Sequence, residues 1–508
     1  MISSSVLSRD LASSLVVFLV AIPLCLGIAV ASGVPVAMGL ISGIVGGLVV
    51  GLLAGSPLQV SGPAAGLAVI VFGFVEQYGA AMLGPVLIVA GLLQVLAGFL
   101  RIGSWFRAIS PAVVHGMLAG IGILIILGQI HVLMGARPAA GGIENVTAME
   151  QTFARVWGAG LTREAVALLV GLISLLAMIA WEKFRPKSLT LVPGALVGVA
   201  AGTTLTVGMQ LPIARVEVPS SLVESITLPT LDGFARMVEP GIIVATLVIA
   251  VIASAETLLS SAAVDRMHDG VRTRFNKELF AQGIGNGLCG LLGALPITGV
   301  IVRSSANIQA GARTRASAVL HGVWILGLVA FLPQLLAMVP LTALAAVLLV
   351  TGWRLISLHH VRHLFDHHGW VPVGIWTATV AMVVLQDLLV GVALGLALSI
   401  LEILPHLRRK LAIDRLEDEE TIHLDLVGAA TCKDVPVLLN TLEALPEGRK
   451  IRIAGARLHY LDHTSAETLR DWLKREKKSG RLVEIEHPPV GRHRRLKPIF
   501  ERLSEEVA

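Results

Sequence analysis

The chain has 508 residues, of which 55% are hydrophobic and only 15% are charged. Soluble globular domains carry about 25% charged residues, so this composition excludes an ordinary soluble protein and indicates a membrane protein. The formal net charge is +5, but the basic residues lie between apolar runs without stacking aromatics, which argues against nucleic-acid binding. The three cysteines give no indication of a disulfide framework or a metal site.

Apolar runs that approach the roughly 20 residues of a membrane span follow one another from the N-terminus. The first run, 11–32, is too long for the apolar part of a signal peptide, and another run follows it at once. We predict fourteen spans, two of them short, near 11–32, 35–54, 63–78, 83–100, 110–133, 163–181, 189–208, 240–263, 277–294, 300–312, 316–338, 341–353, 370–386 and 388–405.

Basic residues are concentrated in alternate loops of this arrangement. The long loops near 134–162 and 209–239 hold few of them. Because Lys and Arg mark cytoplasmic loops, the pattern predicts an even number of spans, with both chain ends in the cytoplasm. The basic residues of the predicted inside loops are Arg101, Arg107, Lys183, Arg185, Lys187, Arg266, Arg272, Arg274, Lys277, Arg313, Arg315, Arg354, Arg362, Arg408, Arg409 and Lys410.

The composition changes sharply where the last span ends. We predict a transmembrane domain over 1–408, a charged linker over 409–420, and a small α/β domain with its tail over 421–508. Strands at 421–427, 450–453 and 481–486 alternate with helices at 432–445 and 465–478, which is typical of a small α/β domain. The segment 488–508 is basic and then acidic, and we expect it to be frayed.

The two short spans are the most informative. Each begins after a Gly/Pro break, at 61–66 and at 296–305, and each is the third span of its half of the chain. Paired interruptions at matching positions are typical of inverted-repeat transporters with a site at the repeat interface. Two half-helix N-termini that meet inside the bilayer would form a cradle for an anion. The alternative is a pair of kinked helices whose small residues only permit close packing.

Charged residues inside predicted spans suggest function. Arg303 lies in the second break and would add a full positive charge to the cradle, although it could instead reach the cytoplasmic edge. Glu256 lies in the middle of the eighth span, where it could pair with Arg303, carry a proton, or help to hold Na⁺ with Ser260. Its alternative role is a protonated structural hydrogen bond to a neighbouring helix.

The remaining patterns indicate no chemistry. Five histidines cluster between 359 and 368, and with the neighbouring arginines we interpret them as a solvated basic loop rather than a metal site. No carboxylate pair, nucleophile triad or phosphate-binding loop is present in the sequence. We therefore expect no enzyme activity and no cofactor, apart from Na⁺ as a coupling ion.

Several motifs together resemble the SulP anion transporters, also called the sulfate permease family, over almost the whole chain. They are Ala21-Ile22-Pro23-Leu24, Val60-Ser61-Gly62-Pro63, Ala255-Glu256-Thr257-Leu258, Asn276-Lys277-Glu278-Leu279, Gln282-Gly283, Gly285-Asn286, Pro296, Thr298-Gly299 and Arg303-Ser304-Ser305-Ala306-Asn307.

The resemblance implies an α-helical membrane protein of fourteen spans in two inverted seven-span repeats, divided into core and gate domains. It also implies an elevator-like movement, a homodimer and a cytoplasmic STAS domain at the C-terminal end. Glu256 and Ser260 take the positions that bind a coupling ion or proton. The implied substrate site comprises Pro23, Leu24, Ile28, Pro63, Ala64, Ala65, Gly66, Val300, Ile301, Val302, Arg303 and Ser304.

The chain departs from the family pattern at two places. Some relatives carry hydroxyl groups near Val300 and Val302 and a polar residue at Leu24, so this pocket would depend more on backbone donors, which disfavours strongly hydrated sulfate. In the tail, Thr464 takes the position phosphorylated in related STAS domains, but the usual following Gly is absent, so we expect dimerisation or docking instead. The tail also resembles those of bacterial members that work beside carbonic anhydrases, which favours bicarbonate.

We therefore predict a secondary transporter of a small inorganic oxyanion, with bicarbonate preferred, in the bacterial inner membrane. Sulfate or a dicarboxylate is the alternative substrate within the family. A passive anion channel and a membrane sensor that signals through the STAS domain are alternatives of other classes. A nucleobase permease is disfavoured because the tenth span carries Arg303 and no acidic residue.

Overall fold

The computed structural model describes residues 4–103, 110–139, 141–157, 162–186, 189, 191–218, 223–265, 267–268, 270–406, 410–418, 420–446, 448–486 and 496–505. Helices dominate up to residue 403. These are α1 (Ser4–Ala31), α2 (Val36–Val45), α3 (Gly51–Leu53), α4 (Ala65–Tyr78), α5 (Leu83–Phe99), α6 (Pro111–Leu133), α7 (Gly142–Val156), α8 (Arg163–Phe184), α9 (Gly194–Gly208), α10 (Leu231–Ala235), α11 (Pro240–Asp265), α12 (Phe275–Leu291), α13 (Ile301–Gln309), α14 (Ala316–Phe331), α15 (Pro333–Ala337), α16 (Leu341–Ile356), α17 (Leu358–His368), α18 (Trp370–Leu385) and α19 (Leu388–Ile403).

Each of the fourteen predicted spans contains one of these helices. Six helical segments are long and apolar enough to cross a bilayer, and six shorter apolar helices accompany them among the described residues. The second predicted span is a single helical run in which the π-helical turn Gly46–Val50 joins α2 to α3. The predicted α-helical membrane fold is confirmed, whereas the number of bilayer crossings stays a prediction.

The packing of the helices repeats between the two halves of the chain. α1 contacts α13 and α11 contacts α4, so the first span of each half packs against the third span of the other. In the same way, α5 packs against α12 and α14 packs against α2. Glycines make both of the latter contacts close, since a Cβ on Gly91 would lie 2.5 Å from the carbonyl oxygen of Gly283, and a Cβ on Gly47 would lie 2.7 Å from the Cα of Gly322. Such reciprocal packing between the two halves of the chain is expected of an inverted repeat.

By contacts, the chain divides into two compact units. The first comprises 1–103, 118–356 and 383–389, and it contains both interrupted spans. The second comprises 104–117, 357–382 and 390–508. The second unit contains apolar helices as well as the polar C-terminal segment, so the domain boundaries predicted from composition stay predictions.

The C-terminal segment of the second unit forms a four-stranded mixed sheet in the order β3-β4-β5-β6. β3 runs antiparallel to β4, while the pairs β4–β5 and β5–β6 are parallel. Buried apolar residues of the sheet and helices, including Leu424, Ile453, Trp472 and Phe500, form its core. The elements are β3 (Ala412–Glu417), β4 (Thr421–Ala430), α20 (Val435–Glu443), β5 (Lys450–Leu461), α21 (His463–Lys478), β6 (Val483–Glu486) and α22 (Lys497–Glu505).

Three local predictions differ from the structure. The predicted linker 409–420 contains strand β3, which pairs with β4. The residues of β3 are charged or largely exposed, so the sequence shows no alternation that would predict this strand. The tail expected to be frayed contains α22, because Phe500 is fully buried in the core. The histidine-rich loop is helix α17.

Some basic residues behind the topology prediction fall outside the described residues, namely Arg107, Lys187, Arg266, Arg408 and Arg409.

A candidate anion site at two interrupted helices

Two short extended segments form a ribbon inside the helical unit. β1 (Ser61–Pro63) pairs antiparallel with β2 (Ile297–Gly299), and all six residues are buried. A further backbone bond from Val300 N to Val60 O, of 2.9 Å, extends the ribbon. The pairing satisfies backbone groups that would otherwise be unpaired in an apolar interior. The predicted breaks at 61–66 and 296–305 are therefore real, and they lie side by side.

A helix begins immediately after each strand of the ribbon. α4 begins at Ala65 after an extended Ala64, and α13 begins at Ile301 after an extended Val300. No side chain caps either N-terminus. Because the strands are antiparallel, the two helices leave opposite ends of the ribbon and both present their N-termini to it. The first-turn N–H groups of a helix lack intrahelical acceptors and carry about half a positive charge, so the ribbon lies between two anion-attracting ends.

Arg303 is fully buried in the first turn of α13. Its Nη2 donates to the carbonyl oxygen of Pro63 at 3.4 Å and lies 3.5 Å from Cys25 Sγ on α1. Its Nε and Nη1 have no hydrogen-bond partner among the described residues. Gly62 leaves room for the guanidinium, since a Cβ at that position would collide with Nη1. A buried cation with two unused donors is suited to receive an anionic ligand.

Glu256 on α11 faces the start of α4. A Cβ on Gly66 would lie 2.8 Å and 2.9 Å from its two carboxylate oxygens, so the absence of a side chain at Gly66 allows this approach. Oε2 of Glu256 is buried without a hydrogen-bond partner among the described residues. An ion pair between Glu256 and Arg303, considered from the sequence, is not among the ion pairs of the described residues, and the contacts of Arg303 are Pro63 and Cys25. Both charged groups therefore keep unused hydrogen-bonding capacity near the ribbon.

Buried amide and hydroxyl side chains hold the ribbon from behind. Gln59 Nε2 donates to Thr257 O at 3.0 Å, and Ser261 Oγ donates to Gln59 Oε1 at 2.7 Å. Asn286 bonds both backbone groups of Ile297, at 2.8 Å and 3.1 Å. These side chains fix the ribbon on α11 and α12, so that the helix N-termini have a rigid support.

A buried carboxyl group lies at the end of this network. Gln282 Nε2 donates to Ser61 Oγ at 2.6 Å and to Glu278 Oε1 at 3.1 Å. Oε2 of Glu278 accepts from the backbone N–H groups of Gly55 and Ser56, at 2.8 Å and 2.9 Å. In the sequence, Ser61, Glu278 and Gln282 belong to family motifs to which no role was assigned. Their signal was the occurrence of amides and hydroxyls inside apolar runs.

The structure brings the predicted site residues together around the ribbon. α1 contacts β1, α4 and α13, and it carries the buried Pro23, Leu24 and Ile28. α11, with the buried Ser260, contacts β2, α4 and α13. Their roles in binding stay predictions. The remaining predicted substrate residues lie at the starts of α4 and α13, namely Pro63, Ala64, Ala65, Gly66, Val300, Ile301, Val302, Arg303 and Ser304.

Two of these predicted residues are placed less favourably for binding. The side chain of Ser304 belongs to the frame, because its Oγ accepts from Val60 N at 2.9 Å and donates to Val300 O at 2.7 Å. Ile301 is 38% exposed and lies on the outer side of α13. Ile301 can still contribute its backbone N–H group, whereas the N–H of Ser304 already donates to Val300 O at 3.0 Å.

Comparison with known proteins agrees with this arrangement. The model of the sulfate permease family matches residues 7–379. The Bacillus subtilis protein named "Putative sulfate transporter YvdB" is 30% identical over 500 residues, which cover 94% of this chain and 91% of the relative. The chain belongs to the sulfate permease family. As a member it is a multi-pass membrane protein and an anion transporter, and the expectation that it is not an enzyme is consistent with this membership.

Other relatives include named bicarbonate transporters. "Bicarbonate transporter BicA" of Synechocystis is 27% identical over 361 residues, covering 68% of this chain and 60% of that protein. The solved transmembrane domain of a cyanobacterial BicA aligns with a TM-score of 0.64 at 24% identity, over 78% of this chain and 98% of that domain. The inward-facing murine Slc26a9 anion transporter aligns with a TM-score of 0.69 at 14% identity, over 99% and 88% of the two chains. At these identities, the structural likeness shows a shared fold.

Proposed function

We propose that this sulfate permease family member is a secondary transporter of a small, singly charged inorganic oxyanion, with bicarbonate as the preferred substrate. The observation that carries the proposal is the convergence of two uncapped helix N-termini on one ribbon beside a buried arginine. Arg303 keeps two unused donors there. An anion supplies the acceptors that these donors and the first-turn N–H groups lack.

The composition of the site favours a singly charged ion over sulfate. The side chains at the starts of α4 and α13 are apolar at Ala64, Ala65, Val300 and Val302, as is Leu24 within α1, so the donors come from the backbone and from Arg303. Fully dehydrating a dianion requires more compensating groups than a monoanion needs. Named bicarbonate transporters among the relatives support this preference, whereas the relative YvdB is named for sulfate. Sulfate therefore remains the second candidate substrate.

Movement and coupling complete the mechanism that we propose. The ribbon, α4 and α13 would carry the anion across the membrane in an elevator-like alternating-access movement. Glu256 and Ser260 would take a proton or Na⁺ when transport is coupled, since an unpartnered buried carboxylate oxygen is suited to either. In an uncoupled protein, Glu256 would instead remain a fixed charge that reduces the positive potential of the site.

The assembly and its location are proposed from the family resemblance and the charge pattern. The C-terminal sheet with α20 and α21 is consistent with a STAS domain on the cytoplasmic side of a bacterial inner membrane. We infer a homodimer, with a carbonic anhydrase as a functional partner that supplies or consumes bicarbonate. Thr464 and Ser465 at the start of α21 are 2% and 0% exposed, so they offer no accessible hydroxyl for phosphorylation, and we propose dimerisation or docking as the role of this domain.

The test is uptake of labelled bicarbonate, sulfate and dicarboxylates into proteoliposomes under defined Na⁺ and pH gradients. Protein-free liposomes at mildly alkaline pH correct for diffusion of CO₂. We expect saturable bicarbonate uptake that sulfate inhibits only weakly. If sulfate is taken up in preference to bicarbonate, bicarbonate is refuted as the preferred substrate and sulfate takes its place.

The same vesicles separate the other classes of protein. Flux that follows only the anion gradient and never accumulates substrate would indicate a passive channel. Absence of flux for every anion, with the full chain and with the C-terminal domain removed, would indicate a sensor and refute transport.

A further inference from the structure

A small cavity of about 30 Å³ lies next to the first turns of α4. Its walls come from the end of α1, the start of α4, the second half of α6, and the segment that leads into α7. The lining includes Ala31, Ala68, Phe72, Leu124, Gln129 and Asn145. This volume holds roughly two water molecules, or one small oxyanion in their place. Ala68 is one helical turn from the N-terminus of α4, so the cavity borders the candidate anion site.

Gln129 is the polar side chain that faces this cavity from α6. Its side chain is 2% exposed, and its Oε1 has no hydrogen-bond partner among the described residues. An amide in an apolar wall costs free energy unless something in the cavity pairs with it. Rotation of the amide by half a turn presents its NH₂ group instead, which can donate two hydrogen bonds. With its NH₂ group turned to the cavity, Gln129 can bind a small ligand that accepts hydrogen bonds.

A hydrogen-bonded cap, formed by the segment after α6 and the start of α7, makes one wall of the cavity. Asn145 at the start of α7 bonds the backbone N–H and carbonyl groups of Ala139, both at 2.9 Å, and the carbonyl of Gly141 at 2.7 Å. His131 on α6 contacts the carbonyl of Asn145 at 2.9 Å and Thr152 Oγ1 at 2.7 Å. These bonds hold the segment after α6 against the cavity. With a cytoplasmic N-terminus, α1, α4 and α6 all run outwards, so the cap would lie on the external side.

We propose that this cavity is an outer subsite of the transport path and that Gln129 is a specificity-determining residue that donates hydrogen bonds to the anion there. The inference rests on the proposed function and adds a second point of selection to it. A neutral amide among alanine, leucine and phenylalanine side chains can pair with a monoanion. It cannot replace the tightly held hydration shell of a dianion. The subsite therefore favours bicarbonate over sulfate before the anion reaches the helix N-termini.

The first test replaces Gln129 with methionine, which has a similar length and no amide. A hydrogen bond to a charged group contributes about 1.5–3 kcal/mol, so we expect the KM for bicarbonate to rise by roughly 10- to 150-fold with kcat little changed. Discrimination against sulfate should fall. Gln129→Glu should abolish uptake, because it places a negative charge on the path. Ile130→Met, at a half-buried position on the same helix that does not line the cavity, is the matched control and should leave discrimination unchanged.

The second test asks whether the cavity opens to the outside. In Gln129→Cys, an impermeant thiol reagent added externally should label the protein above the wild-type background, and bicarbonate should slow the labelling. Ala119→Cys, a fully buried position on the same helix that does not line the cavity, should stay unlabelled.

Each outcome is decisive for the proposal. An unchanged KM in Gln129→Met, or no external labelling of Gln129→Cys, would overturn the outer subsite. If Arg303→Met still raises the KM in the same vesicles, the proposed function survives that failure. If neither variant affects the KM, the proposed function itself fails.

Discussion

Replacing Arg303 with methionine removes a buried guanidinium from the start of α13 and retains an apolar side chain of similar length. A hydrogen bond to a charged group contributes about 1.5–3 kcal/mol. If the anion accepts such a bond from Arg303, its loss should raise the KM for bicarbonate by roughly 10- to 150-fold. The two unused donors, Nε and Nη1, are the atoms whose loss would cause this change.

The same substitution should affect folding very little. Arg303 makes one long hydrogen bond of 3.4 Å, to Pro63 O, and a 3.5 Å contact with Cys25 Sγ. A buried charge that is poorly paired within the protein stabilises little, and its replacement by an apolar residue is often neutral or favourable. We therefore expect an unchanged or raised Tm for the detergent-solubilised variant. The combination of weaker binding and retained stability distinguishes a ligand-binding arginine from a structural one.

The assay is initial-rate uptake of labelled bicarbonate into proteoliposomes, with thermal unfolding of the same preparation measured in parallel. Arg315→Met is the matched control, because Arg315 is a half-buried arginine outside the ribbon whose Nη1 donates to Leu52 O at 2.6 Å, and the KM of this variant should stay near the wild-type value. A normal KM in Arg303→Met would refute the reasoning. If both the Tm and the uptake activity of Arg303→Met fell strongly, Arg303 would have a structural role instead.

Three further outcomes are expected. Glu256→Gln should change the dependence of uptake on pH or Na⁺, and an unaltered profile in the vesicle assay would remove Glu256 from coupling. Gly66→Ala should lower uptake at least several-fold, because its Cβ would lie 2.8 Å from a carboxylate oxygen of Glu256, whereas Gly73→Ala on the same helix meets no neighbouring atom and should be tolerated. In the C-terminal domain, Asp462 accepts from Ser465 N at 2.7 Å, and burial is the main cause that raises the pKa of this carboxyl. Because the pKa of Asp462 is raised in the folded protein, the stability that its protonation contributes is fully present below the pKa of the unfolded chain. That stability is lost as pH rises through the pKa of the folded protein. Asp462→Asn keeps the acceptor for Ser465 N but loses the one for Cys432 N, which donates to Oδ2 at 2.6 Å, so its stability relative to wild type should be lower in acid than in neutral buffer. Asp462→Ala should lose about 1 kcal/mol, as measured by thermal unfolding across pH.

The sequence was sufficient to predict the broken helices but not their pairing. Glycine and proline within apolar runs predict interruptions at 61–66 and 296–305, because these residues favour such breaks locally. The register that places Ser61 opposite Gly299 joins positions 238 residues apart, and no local pattern specifies it. The same limit applies to Glu256, which faces Gly66 and not the arginine suggested as its partner.

Polar residues inside apolar runs indicate the side chains that support the ribbon, although the sequence assigns them no role. Gln59, Gln282 and Asn286 are all at most 2% exposed, and each bonds the ribbon or a neighbour of it. Gln129 shows the same pattern in α6, but its surroundings come from α1, α4 and the cap, which only the fold assembles. Burial of an amide can be expected from its apolar neighbours in sequence, whereas the ligand that it faces depends on long-range packing.

The charges around the ribbon connect the choice of anion to coupling. Each half-helix N-terminus contributes about half a positive charge, Arg303 contributes one, and an ionised Glu256 removes one, which leaves about one positive charge. Bicarbonate neutralises that charge without a co-transported cation. Sulfate would leave about one negative charge in a low-dielectric environment, unless Glu256 binds a proton or Na⁺. Sulfate transport by this chain should therefore depend on a proton or Na⁺ gradient more steeply than bicarbonate transport does, and removal of the carboxylate in Glu256→Gln should reduce that difference.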